Sequence, residues 1–145
     1  MPALDAFGGT WTLEREIEDY RSGATGGLTG QAVFAPDAHG AMLYEEDGTL
    51  RLGAQPPMRA TRRYSWASGA DGITVFFEDG RLFHTIAADQ ARPEARHDCA
   101  PDLYLVSYDF SRWPAWSATW RVTGPAKDYR MVSRYSRVDP GSAQG

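Results

Sequence analysis

The chain has 145 residues, 19 of them acidic and 15 basic, for a net charge of −4. That length suits one hydrophobic core, and without a basic surplus there is little to attract nucleic-acid phosphates. No run reaches the ~18 apolar residues of a membrane span and no basic-then-apolar leader is present, so the expected location is cytoplasmic.

In chain order, Pro2 to Phe7 suits a short helical turn. Trp11, Leu13, Arg15 and Ile17 then share one face of an alternating segment, with Thr12, Glu14, Glu16 and Glu18 on the other. A period of two marks a half-buried strand. A glycine-rich turn at Gly23 to Gly27 precedes a second strand, lined by Leu28, Gly30, Ala32 and Phe34. Asp-Gly pairs accept the positive φ of type I′ turns. Asp47-Gly48 therefore predicts a hairpin over Met42 to Leu52, and Asp79-Gly80 another over Ile73 to Ile86. Gly69 to Gly72 joins the latter to a strand at Met58 to Trp66.

Ala88 to Pro101 reads as the longest non-strand segment, with a second helical turn within Ala87 to Arg96 limited by Pro93. Such a segment is either a site loop or a solvated crossing of the barrel end. Asp102 to Phe110 is the next strand, broken at Trp113-Pro114. Trp116, Ala118, Trp120 and Val122 form a further apolar face, and Gly124-Pro125 turns the chain into a last strand, Tyr129 to Val138. Leu103 and Leu105 oppose Tyr104 and Tyr108, so either face of the Asp102 segment suits the interior.

About ten strands with short connections predict an all-β fold: a closed up-and-down antiparallel barrel with a ligand-sized interior. Closure removes the edges that invite aggregation. Residues 1–139 form one domain in this reading, and 140–145 a frayed tail.

Phe7-Gly8-Gly9-Thr10-Trp11 resembles the Gly-x-Trp opening of lipocalin-type (calycin) barrels. That resemblance implies that Trp11 closes one end and that an arginine of the last strand, Arg134 or Arg137, packs across it. Three runs, Phe77 to His84, His97 to Tyr104 and Gly124 to Arg130, resemble an uncharacterised bacterial family carrying a domain of unknown function. The second resemblance implies no activity.

The richest set of candidate residues lies between His84 and Tyr108. His84 shares a face with Leu82 and Ile86 and is either a satisfied core histidine or a pocket base. His97 and Cys99, with Asp102, suit a thiolate–imidazole pair or a loop histidine beside a small buried thiol. His-x-Cys alone lacks the spacing of a metal site, so no metal is assigned, and no cofactor is identified. Arg15 and Arg62 interrupt apolar faces and must be paired by an interior carboxylate (Glu45 or Glu46, Glu78, Asp102), by the acid group of a ligand, or by water at a barrel end.

Three functions fit. One is a small-molecule binding barrel with walls of Tyr44, Tyr64, Tyr104, Tyr108 and Trp120 and anchors at Arg15, Arg62 and His84. Its partner is a small hydrophobic or aromatic molecule bearing an acidic group. Another is an enzyme that uses His84, His97, Cys99 and Asp102 together. The last is a ligand-free interaction module, homodimeric through exposed Trp113 and Trp116.

Overall fold

The computed structural model describes residues 1–138; the tail expected at 140–145 lies outside the described residues. A 3-10 turn, Leu4–Phe7, precedes ten strands: β1 (Gly9–Asp19), β2 (Thr25–Pro36), β3 (Met42–Leu52), β4 (Met58–Gly69), β5 (Gly72–Phe77), β6 (Leu82–Ala87), β7 (Glu94–Cys99), β8 (Asp102–Asp109), β9 (Trp116–Thr123) and β10 (Asp128–Arg137). They form one antiparallel sheet in the order β6-β5-β4-β3-β2-β1-β10-β9-β8-β7. The first strand pairs with the last, Leu13 opposite Tyr135 and Arg15 opposite Ser133. The sheet curls into a nearly closed barrel in which β6 and β7 meet side by side without a hydrogen-bonded ladder. No described helix is long and apolar enough to cross a membrane.

Two Asp-Gly pairs, Asp71-Gly72 and Asp79-Gly80, fall at turns, but not of the expected type I′, since no described residue other than glycine has positive φ. Gly72 and Gly80 have φ of 143° and 89°, and Gly69 pairs with Gly72 across a two-residue loop. The pair Asp47-Gly48 does not turn. Asp47 and Gly48 lie within continuous β3, Gly48 opposite Gly30 of β2, which corrects the hairpin expected over Met42 to Leu52. Glycine is needed there for close approach: a Cβ on Gly30 would come within 2.5 Å of the Gly48 Cα, and Leu28 lies across Gly48.

The long loop and helical turn expected at Ala88 to Pro101 are corrected by β7. Its pairing with β8 sets His97 opposite Tyr104 and Cys99 opposite Asp102. Ala95, His97 and Cys99 share one face of β7 yet carry no large apolar side chain, so the segment lacks the hydrophobic alternation that marks a strand.

The core fills the barrel from one end. Phe7 and Trp11 are fully buried, and the Phe7 ring packs on Trp113 (centroids 4.8 Å), Trp66 (5.3 Å), Trp116 (5.4 Å) and Phe110 (5.7 Å). Trp116 is buried and Trp113 is partly buried against this core. They are therefore core residues, not the exposed contact patch expected of an interaction module. In an up-and-down barrel the strand ends alternate. The turn after β5, the β7–β8 turn and the β9–β10 turn consequently gather at the opposite end, the mouth.

Candidate functional site

The inward faces of β1, β3 and β10 bring one polar chain into the core. Arg15 donates through both terminal nitrogens to Glu46, at 2.8 and 2.9 Å, and through Nε to Ser133 Oγ at 2.7 Å. The Tyr44 hydroxyl donates to Glu46 Oε1 at 2.6 Å, and Tyr135 lies 2.8 Å from the Tyr44 oxygen. Tyr44 has one proton, already given to the carboxylate, so Tyr135 is the donor in that contact. Burial alone would raise the Glu46 carboxyl, but the hydrogen bond and charge of Arg15 outweigh it and hold it below its ordinary range. Burial pushes the Tyr44 phenol well up, and the Tyr135 phenol up to about 12. Arg15 and Glu46 are thus ionised and mutually neutralised, and both tyrosines keep their protons. Glu45, one residue away, faces outward to Arg63; strand alternation alone separates the two carboxylates.

His84 enters through an irregularity. Val75 pairs with His84 and Phe76 with Leu82, so Phe83 is an extra residue on β6. Such bulges re-aim side chains. Here Phe83 and His84 are both buried while Leu82 is exposed, which corrects the shared face of Leu82 and His84. Burial, helped by the His97 charge, pulls the His84 imidazole down to about 3, so it is neutral at physiological pH. Its Nε2 lies 2.8 Å from the Tyr108 hydroxyl.

Between these groups lies an interior cavity of about 40 Å³. Its walls include Arg15, Glu46, Arg62, Tyr64, Trp66, Phe83, His84, Tyr108, Trp116 and Trp120. That space holds a few water-sized atoms; the ligand-sized interior expected from the aromatic content is instead largely filled by rings. Among the described residues, three buried side-chain nitrogens have no hydrogen-bond partner: Trp66 Nε1, Trp116 Nε1 and His84 Nδ1. All three belong to residues lining this cavity.

Arg62 stands on the inward face of β4, two residues from Tyr64 and four from Trp66. It also lines a solvent-open depression of about 560 Å³ with Tyr64, Phe77 and Arg81. Among the described residues its guanidinium has no ion-pair partner, whereas Arg59 and Arg81 each have one and Arg63 has two. At the same mouth Lys127 is held by Tyr104 at 3.0 Å and Asp102 at 3.1 Å, bonds that raise its ammonium above the usual range.

The inside face of β8 is the tyrosine face: Val106 and Tyr108 are buried, while Leu105 is 41% exposed. His84, His97, Cys99 and Asp102 do not converge. His84 is deep, His97 packs on Phe77 and Phe83 across the β6–β7 seam, Cys99 is exposed, and Asp102 is bound to Lys127. No group of three metal-ligating side chains occurs among the described residues. At the closed end Arg137 lies 3.9 Å from the Trp11 ring centroid and donates to the Gly8 and Ala6 carbonyls. Arg134 instead faces outward to Glu16.

Sequence reasoning did not single out Trp66, Trp116, Phe83, Ser133 or Tyr135 as cavity or network residues. Alternation places Trp66 with Tyr64 and Arg62, and Trp116 with Trp120, so their membership of the pocket walls was readable. Phe83 was not, because it depends on the bulge.

A family model described as "Family of unknown function (DUF6314)" matches residues 7–137, nearly the whole described barrel. No curated protein matches the chain.

Proposed function

The chain belongs to DUF6314, a family of unknown function, and we propose that it is a binding barrel for a small aromatic or apolar molecule carrying an acidic group. The observation that carries this reading is Arg62. It is a permanently charged, solvent-reaching fork at the boundary between the mouth depression and the interior cavity. It stands opposite Glu46 on β3 and feels its charge, but among the described residues no carboxylate is within ion-pair distance of it, that of Glu46 being bound by Arg15. Arg15, the other inward arginine, is already satisfied by Glu46, so only Arg62 is left to read an acid. A guanidinium binds a carboxylate through two parallel hydrogen bonds.

The apolar body lies against Tyr64, Phe77, Phe83 and Trp120. Seating it parts these rings, since the resting cavity is small. The β6–β7 seam supplies the compliance, being the one strand contact in the barrel without backbone hydrogen bonds among the described residues. The Arg137–Trp11 stack supports a lipocalin-like reading in which one end is plugged and the other admits the ligand. The scattering of His84, His97, Cys99 and Asp102 favours binding over catalysis by that group.

Tryptophan fluorescence tests the reading, because Trp66, Trp116 and Trp120 all line the site. Titration with 3-phenylpropanoate gives a saturable change and its neutral amide binds at least about tenfold more weakly, the loss of one charge-assisted contact. Equal response to acid and amide, or no saturable response, overturns it.

A further inference from the structure

Resting on that reading, we propose that the inner cavity is a second subsite for an uncharged hydrogen-bond acceptor, a carbonyl oxygen at the far end of the same ligand, taken by Trp66, Trp116 and His84. The three unpartnered nitrogens belong to residues of β4, β9 and β6 that line one small space. An indole N–H only donates. For His84 the two tautomers differ in what they leave unmet. If Tyr108 donates to Nε2, only the Nδ1–H lacks a partner. If Nε2 donates, both the Tyr108 proton and the Nδ1 lone pair do. The first leaves fewer buried groups unpaired and so prevails. The three buried unpartnered nitrogens are then all donors.

Charge selects among acceptors. Arg15 is neutralised by Glu46, and His84 is held neutral by burial. Arg62, at the outer wall of this cavity, is taken by the acid group of the ligand. A second negative charge seated deeper would lose its hydration with no further unpaired cation among the described lining residues, which is costly. A neutral carbonyl oxygen accepts two or more hydrogen bonds and needs no counter-charge. Arg62 and Trp66 are four residues apart on β4, ~13 Å along an extended strand, and the arginine side chain shortens that path. A carboxylate and a carbonyl separated by one ring match this arrangement, so the ligand class is an aromatic acid bearing a distal keto or amide oxygen.

The test compares two near-isosteric acids, 4-acetylbenzoate and 4-isopropylbenzoate, on the intact protein. Affinity is measured by calorimetry, and the indole N–H resonances are followed by ¹H–¹⁵N NMR after assignment with W66F and W116F. The expected result is at least about tenfold tighter binding of the acetyl compound, with the Trp66 and Trp116 resonances moving for it and not for the isopropyl compound. If both acids bind equally, lose affinity equally in R62Q and leave the two indoles unmoved, the acceptor subsite is wrong and the Arg62 reading stands. If neither binds, both are wrong. If sodium bromide alone moves the two indole resonances and 4-acetylbenzoate does not, the cavity is an anion site and the carbonyl assignment is overturned.

Discussion

Arg15 and Glu46, 31 residues apart in the chain, form a bidentate ion pair sealed inside the barrel, with side-chain exposures of 5% and 3%. It fixes which inward arginine is structural and which is available, because the acid on β3 is used up by β1. Glu46→Ala leaves a buried guanidinium without its partner and costs about 3–5 kcal/mol. The Glu46 carboxyl lies below its ordinary value of 4.5 in the folded protein. Its contribution is therefore complete above that pH and is lost as pH falls through the lowered folded value. Urea unfolding of wild type and E46A at pH 7 checks the magnitude; a loss under 1 kcal/mol would contradict the role given to the pair.

His84 gives a pH signature of its own. It is protonated near 6.5 when unfolded and near 3 when folded. Between those values the unfolded chain holds the extra proton, so stability falls as pH falls, by about 1.4 kcal/mol per unit at most. His84→Gln retains an acceptor for Tyr108 and removes this titration. The urea midpoint of H84Q is expected to vary less than wild type between pH 6.5 and 4.5, and identical slopes would show that His84 is not held neutral.

The Gly30–Gly48 approach predicts that either Gly→Ala change destabilises the barrel by about 1–3 kcal/mol or more, as overpacking does. Read as a hairpin tip, Gly48 would tolerate alanine differently from Gly30. Thermal unfolding of G30A and G48A separates the two views, and loss in both supports one continuous β3.

Arg137 closes the end opposite the mouth through its stack on Trp11 and its bonds to the Gly8 and Ala6 carbonyls. Arg137→Ala is expected to lower stability by about 1–2 kcal/mol. Arg137→Lys recovers only part, since an ammonium lacks the planar fork. Arg134→Ala, on the exposed face, should stay within about 0.5 kcal/mol. Denaturant midpoints of the three variants give the order directly.

Much of this architecture is legible in the sequence, for reasons that also explain the failures. Trp11-x-Leu13-x-Arg15 and Trp116-x-Ala118-x-Trp120 alternate because one side of each strand meets the core. Asp79-Gly80 turns because Gly80 takes positive φ. Asp47-Gly48 carries the same dipeptide, yet its glycine serves a close strand crossing; two physical demands choose one residue. Strand β7 leaves little trace in the sequence because its half-buried residues, Ala95 and His97, are not large apolar side chains, and the β6 bulge leaves none because a register shift has no local signature. The site followed the same division. Arg62, Tyr64, His84 and Trp120 were marked by polar or aromatic residues on inward faces. That Arg15 is spent and Arg62 is not depended on choosing between Glu45 and Glu46 across strands, which only the assembled register decides.

The most direct measurement is isothermal titration of 3-phenylpropanoate into wild type and Arg62→Gln at neutral pH. One site per chain in the wild type, weakened about ten- to a hundredfold in R62Q with folding intact by circular dichroism, is the expected result. Binding of equal strength in the two proteins, or no heat of binding in either, would mean that Arg62 does not receive an acid and that the barrel's interior is core alone.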